Sequence, residues 1–498
     1  MDAHETYTDK KSVLEERECR NEKLREEKTD GVKESKKRKS HNKKPHIQNM
    51  TEGKPIALII AFAIPLMLGN VFQQLYSVVD SMVVGKFLGV DALAALGATT
   101  WPNWVILGFL QGLTQGFSIV MSQAFGAQDG KKLRRAVGNS AVLSALSAVV
   151  LFLFGQIFAR AMLGLLSTPE EIVPYAMVYL RISFLGIPVI TGYNLFAAIL
   201  RALGDGQTPL RAMAVASIVN VLLDLLFVTV FGWGIAGAAI ATVTAQLCSC
   251  ILCFNRVRKI EILALARSDF RLDGRLSKGM FILSMPMALQ NLLIAGGGMI
   301  VQSVVNRYGM VFIAGFTAGS KLHGVLEIAT SSYGFAMTTY VGQNLGAGRM
   351  DRIHKGVRSA LVAAVATSAV IAGTMLLSGR LILSGFVSGT EQEIAETISV
   401  AYRYLTIMCV CLPVLYVLYI IRSSLQGMGN TVWPMISGIG ELIMRTSAAL
   451  LLPAVVGETG VFLAEVLAWF GADVILISSY LVTVRKTEEK LKRQRVDI

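Results

Sequence analysis

Apolar stretches of roughly 20 residues recur along this chain from Ile56 to Val484, separated by short segments rich in glycine and basic residues. Each is long enough to cross a hydrocarbon core of about 30 Å as an α-helix. The pattern predicts twelve spans: 56–82, 101–123, 137–158, 176–198, 212–231 and 235–254, then 281–304, 314–341, 358–378, 398–420, 432–453 and 461–484. Residues 1–50 mix charges with few large apolar side chains, a composition that cannot offset its ordering entropy and predicts a disordered tail. The expected organisation is therefore a charged tail (1–50), a six-helix lobe (51–254), a connector (255–278), a second six-helix lobe (279–485) and a basic tail (486–498).

The second set of spans repeats the first. Ser122-Gln123-Ala124-Phe125-Gly126-Ala127 answers Gly342-Gln343-Asn344-Leu345-Gly346-Ala347 at an offset of 220 residues, and Gly204-Asp205-Gly206-Gln207-Thr208 answers Gly427-Met428-Gly429-Asn430-Thr431 at 223. Six spans per half is an even number, so both halves enter and leave on one side. That predicts an all-α polytopic membrane protein: 12 transmembrane helices in two six-helix bundles, related by a pseudo-two-fold axis along the membrane normal, with a cavity between them.

Composition agrees: 53% of residues are apolar and 16% charged, against about 25% charged in soluble chains. The net charge of +13 does not point to nucleic acid, because it is scattered. Fourteen of the 47 Lys and Arg lie in the first 50 residues beside eleven acids, and most others sit in short loops. Loops after even-numbered spans hold 18 basic residues and the opposite loops four, which places both termini and the connector in the cytoplasm of a plasma-membrane protein. Cys248, Cys250, Cys253, Cys409 and Cys411 lie in apolar helical sequence without paired histidines, so they read as buried thiols rather than metal ligands. No cofactor is expected.

Charged groups inside the spans are expensive, about 2.5–3.5 kcal/mol each at a helix centre, and so mark function by default. Asp80, Asp224, Glu327, Glu441, Glu465 and Asp473 are such acids, with Arg181, Lys321, Arg403 and Arg445 as available partners. Tyr76 and Asp80 share a face of the first span, and Asn220 and Asp224 share one of the fifth. Neither span holds a basic residue between these positions. The two carboxylates, with hydroxyl and amide oxygens nearby, form a hard-oxygen set suited to a small cation or to a carried proton. Glu441 and Arg445, four residues apart, are expected to neutralise each other, and Glu327 to pair locally with Lys321 or His323. Met280, Met285, Met287, Met299, Phe335, Met337, Tyr340, Met408, Tyr416 and Tyr419 supply a possible lining for flat cations.

Several segments resemble the multidrug and toxic compound extrusion (MATE) family over roughly residues 54–485. They are Ile64-Pro65 followed by Leu75-Tyr76-Ser77-Val78-Val79-Asp80-Ser81-Met82-Val83-Val84-Gly85, then Gln123-Ala124-Phe125-Gly126-Ala127, Arg201-Ala202-Leu203-Gly204-Asp205-Gly206-Gln207-Thr208-Pro209 and Asn220-Val221-Leu222-Leu223-Asp224. The resemblance implies an antiporter, not an enzyme, that exports amphipathic or cationic organic compounds against a Na⁺ or H⁺ gradient. By matching position it implies a cation or proton site at Asp80, Asn220, Asp224 and Thr242, with Tyr76 and Asn194 nearby and Pro65 as a point of bending in the first span. The span-seven acid that some members of that family carry is missing: Gln290-Asn291-Leu292-Leu293-Ile294-Ala295-Gly296-Gly297 has none. A flippase for lipid-linked precursors is the alternative on a related bundle, and would need several basic residues facing its cavity. A membrane-embedded enzyme or a receptor is the alternative from another class, and no constellation of acids or histidines supports an enzyme.

Overall fold

Among the described residues every regular element is helical, as twelve apolar spans require. The computed structural model describes residues 47–166, 168–385 and 390–496. The expected N-terminal tail therefore lies, as far as residue 46, outside the described residues. The first lobe contains α1 (Pro55–Leu88), α2 (Val90–Gly126), α3 (Gly130–Leu165), α4 (Val173–Leu185), α5 (Ile187–Ala202), α6 (Gln207–Asp224) and α7 (Gly234–Val257). The second contains α8 (Gly274–Val305), α9 (Met310–Gly346), α10 (Met350–Ser384), α11 (Glu391–Gly427), α12 (Val432–Leu451), α13 (Pro453–Val456) and α14 (Thr459–Val496). These helices overrun the predicted spans at most ends, and α14 continues through the basic segment after residue 485.

Ten helices are long and apolar enough to cross a membrane, and α4 with α5, bent by 48°, makes an eleventh. Pro188 follows the break at Gly186 and cannot continue the backbone ladder, which accounts for the bend. The remaining predicted span, the eighth (314–341), falls in α9. That helix spans 37 residues but is rich in Ser, Thr, Gly and Tyr and carries Lys321, His323 and Glu327, so it is not among the apolar ten. Its polar face is turned inward: Thr330, Ser332, Thr338, Gln343 and Asn344 are all buried.

The packing repeats with the sequence. In the first lobe α1 lies on α6, α6 on α7, and α4 and α5 on α7 and α2; in the second α8 lies on α12, α12 on α14, and α11 on α14 and α9. The lobes meet by exchange, α1 against α9 and α2 against α8. Backbone geometry corrects the register of the second loop motif. Gly204 and Gly429 share φ +82°, and the turns Gly204 N to Arg201 O and Gly429 N to Gln426 O match. The offset here is thus 225, not 223, and it aligns Pro209 with Pro434. The counterparts of Asn220 and Asp224 become Arg445 and Ala449. At the 223 offset they would be Ile443 and Ser447.

The connector is strapped to α3. Asn139 donates to the carbonyls of Asp269 (3.4 Å) and Arg271 (3.3 Å) and accepts from Asp273 N (2.9 Å) and Ser277 Oγ (2.7 Å). At this same end the first repeated motif joins the lobes reciprocally. A Cβ on Gly126 would collide with the Gln343 carbonyl, and one on Gly346 with the Gln123 carbonyl. Only glycine lets the two helix ends approach so closely. Gln123 Nε2 donates to Gly427 O at 3.0 Å and Gln343 Nε2 to Ala202 O at 2.9 Å. The segment before α1 is wedged into this seam. Met50 is fully buried, its N–H donates to Gln343 Oε1 at 2.9 Å, and its carbonyl accepts from Asn344 Nδ2 at 3.1 Å and Arg352 Nη2 at 3.2 Å. The bundle is closed at the connector end.

Candidate functional site

Asp80 reaches the interface of α1 with α6 and α7, where Ser217 Oγ on α6 donates to Phe72 O of α1 at 2.8 Å and fixes the helix register. Asn220 and Asp224 stand on the facing side of α6, and both are fully buried. Directly after Asp224 the helix widens into a π-helical turn, Leu225–Val230, a distortion that recurs at functional positions because it re-aims side chains. Asn220 Nδ2 points at Thr242 Oγ1 of α7 at 3.4 Å. Gln246, one turn further along α7, donates to the Tyr76 hydroxyl at 3.2 Å. The buried phenol of Tyr179 in α4 lies within electrostatic reach of both Asp80 and Asp224.

What distinguishes this cluster is unmet acceptors. Asp80 Oδ1, Asn220 Oδ1, both carboxylate oxygens of Asp224 and Gln246 Oε1 are buried without a hydrogen-bond partner. Five acceptor oxygens on three helices lack donors within one small region. An unsatisfied buried polar group costs about 1–3 kcal/mol, and more when charged. The chemistry that relieves such a set is positive: a hard cation taken by the oxygens, or a proton on a carboxylate.

The predicted residues divide accordingly. Asp80, Asn220, Asp224, Thr242 and Tyr76 are brought together, whereas the Asn194 amide donates to Ile190 O on its own helix at 2.9 Å. Pro65 lies within an unbroken α1, ten residues in from its start. Gln246 and Tyr179 were not anticipated. Gln246 had a signal, since it follows Thr242 by four residues on an apolar helix. Tyr179 had none to separate it from a core aromatic.

A cavity of ≈ 350 Å³ lies between the lobes, walled by α1, α2, α8, α9 and α11. Carboxamides dominate it: Gln73, Gln74, Gln111, Gln115, Gln290 and Gln426, with Asn70 and Asn291. Trp104, Phe335 and Tyr419 add aromatic faces, and Arg201 stacks over Phe335 from the opposite lobe at 4.6 Å. Of the predicted Met and aromatic lining only Met287, Phe335 and Tyr419 take part; Met280, Met337, Tyr340, Met408 and Tyr416 are core. Gln73 lines the cavity and also neighbours Tyr76, so α1 carries both the chamber wall and the acceptor cluster.

The second lobe pairs its charges differently from expectation. Glu441 is paired with Arg422 on α11, and Arg445 with Glu465 on α14 at 2.7 Å; Glu441 and Arg445 do not pair with each other. Arg422, which falls between the predicted spans 398–420 and 432–453, belongs to α11 and is buried. Lys321 and Arg181 are exposed and form no ion pair within 4.0 Å among the described residues. Glu327 lines the cavity half-exposed, with no ion pair within 4.0 Å among the described residues. His323 is buried instead against Trp469, its ring centroid 5.7 Å away.

Comparison with known proteins completes the picture. The MatE family pattern matches twice, over residues 65–226 and again over 286–449, one copy in each lobe. The chain belongs to the MatE family. Among relatives, a probable multidrug resistance protein YpnP of Bacillus subtilis (strain 168) is 33% identical over 306 residues, 61% of this chain and 68% of that protein. The probable multidrug resistance protein YoeA of the same organism is 29% identical over 388 residues, 76% and 82% of the two chains. A solved outward-facing multidrug resistance MATE transporter superposes with TM-score 0.81 at 23% identity, covering 90% of this chain and 99% of that one. MatE proteins of this kind are multidrug efflux transporters rather than enzymes. The two matched copies start at Pro65 and Pro286, each a proline inside the first helix of its lobe.

Proposed function

We propose that this MatE protein exports small amphipathic and cationic organic molecules through the central chamber in exchange for Na⁺ or H⁺ taken up at Asp80 and Asp224. The reading places it in the plasma membrane with both termini and the connector in the cytoplasm, following the basic residues of the connector-side loops. The observation that carries it is the set of five partnerless buried acceptor oxygens on α1, α6 and α7. A cation or proton there draws α1 toward α6 and α7. Because Asn70, Gln73 and Gln74 of the same helix wall the chamber, the movement alters the substrate site. Exchange follows only if ion and substrate favour different arrangements, since equal affinity for both shifts nothing.

The flippase alternative needs basic residues free to hold pyrophosphate. Among the described residues lining the cavity Arg422 is the one basic side chain, and it is paired with Glu441. Proteoliposomes holding the full chain, loaded with a dye and given either a Na⁺ or a pH gradient, test the proposal. Export should follow one gradient, and D80N should abolish it while leaving the protein in the membrane. Undiminished export by D80N would remove Asp80 from the mechanism.

A further inference from the structure

The acceptor cluster of the first lobe has a counterpart position in the second, and that position is already filled. In the first helix of each lobe, Pro65 and Pro286 set an offset of 221, which also aligns Asn70 with Asn291. Tyr76 then corresponds to Gly297 and Asp80 to Val301. In the fifth span the offset of 225 aligns Asn220 with Arg445 and Asp224 with Ala449. The first lobe thus presents two acids, an amide and a phenol, and the second presents an arginine opposite a glycine.

The contacts agree with this alignment. A Cβ on Gly297 would lie 3.1 Å from Arg445 Nη1 and 3.3 Å from Arg445 Cδ, so the guanidinium occupies the space Tyr76 takes in the other lobe. Arg445 Nη1 also reaches the Ile294 carbonyl of α8 at 3.5 Å, and Nη2 donates to Glu465 of α14 at 2.7 Å. The same three helices are bridged: α8, α12 and α14 here, α1, α6 and α7 there. Arg445 is buried, and the acids acting on it are Glu465, Glu441 and Glu327. Glu441 has its own arginine, Arg422.

We infer that the Arg445 guanidinium is a tethered cation standing in the second lobe where the coupling ion stands in the first. The second lobe is held permanently in the cation-filled arrangement, and only the first lobe responds to the ion. An arginine cannot leave or deprotonate, so each cycle couples to one ion site. The inference rests on the reading of Asp80 and Asp224 as the ion site, and extends it to why the other lobe has none.

The test uses purified full-length protein and its thermal unfolding in Na⁺, Li⁺ or guanidinium, each against choline at equal ionic strength. With Arg445 intact, D80N/D224N should lose the stabilisation given by any of these cations. In D80N/D224N/R445A a cation response should return, guanidinium raising the midpoint by about 3 °C or more as it enters the vacated position. Transport adds a readout that a merely structural arginine would not move. The Hill coefficient for the coupling ion should be about 1 in the wild type and rise in R445A, with R445K retaining the wild-type value. The inference fails if D80N/D224N keeps a cation response that E465Q then removes, a result that needs no Arg445 variant to fold. It also fails if no cation stabilises a folded D80N/D224N/R445A. Failure of the underlying ion-site reading looks different: wild type and D80N/D224N would then share both their ion response and their coupled export.

Discussion

Gln343 holds the closed connector end from both sides, and its removal should bias the whole transporter toward opening there. In Gln343→Ala the Met50 N–H and the Ala202 carbonyl, bonded at 2.9 Å each, lose their partner inside a buried seam. Each orphaned group costs about 1–3 kcal/mol while buried. The cost falls on the closed arrangement, because separating the lobes exposes both groups to water. A net bias of about 2 kcal/mol corresponds to roughly a thirtyfold change in the closed-to-open ratio. Gln123→Ala is the internal control, since the pseudo-equivalent Gln123 side chain makes one interlobe bond, to Gly427 O at 3.0 Å. Its shift should be smaller. Spin labels at the exposed positions Lys131 and Lys355, in protein whose native cysteines have been replaced, report the separation of the lobes at this end. The expected result is a new long-distance population in Q343A and a lesser one in Q123A. Unchanged distances in Q343A, or a larger effect of Q123A, would refute the seam as a determinant of the closed state.

Three further outcomes follow from the same geometry. E441Q leaves Arg422 buried and unpaired, at a cost of about 3–5 kcal/mol, so the unfolding midpoint should fall by about 5 °C or more while R422M/E441M recovers most of the loss; an E441Q midpoint equal to wild type would contradict the buried pair. E327Q removes the chamber's unpaired carboxylate, and rhodamine 6G, a cation, should bind about tenfold more weakly while zwitterionic rhodamine B is little changed; equal losses for both dyes would make Glu327 a packing residue. G346A places a methyl group against the Gln123 carbonyl and should open the connector end as Q343A does, read by the same spin labels.

Much of the fold was legible because a bilayer leaves few solutions: apolar runs of span length must be helices, and an even number per half forces a parallel repeat. α9 was placed correctly although it falls short of the apolar spans, because its neighbours in the count required it. The acceptor cluster was legible through charge in apolar sequence at helical spacing, which pairs Tyr76 with Asp80 and Asn220 with Asp224. What failed was pairing between helices. Glu441 and Arg445 satisfy the i,i+4 rule, yet Arg422 and Glu465 approach from α11 and α14 and win, and no local pattern reports which neighbour a buried charge faces. The register of the second loop motif failed for a related reason. Glycines recur at two spacings in that motif, and only the positive φ at Gly204 and Gly429 tells which one turns the chain.

That register decides how the duplication is understood. At the 223 offset the second lobe offers Ile443 and Ser447 opposite Asn220 and Asp224, and the difference between lobes is simple loss. At 225 it offers Arg445 with Gly297 beside it, and the difference is a replacement that puts a fixed positive charge between the corresponding three helices. Loss alone would leave Glu465 without its counterion between packed helices, at several kcal/mol for an uncompensated charge. Arg445 compensates Glu465 as Arg422 compensates Glu441, and Glu327, without an ion pair among the described residues, faces the chamber, from which a mobile cation can reach it. The symmetric parts of the repeat, Gln123 with Gly126 and Gln343 with Gly346, close the bundle by contacting each other across the axis, so they must stay alike. The charged pairs Glu441–Arg422 and Glu465–Arg445 lie within their own lobe, which left those positions free to differ between the halves.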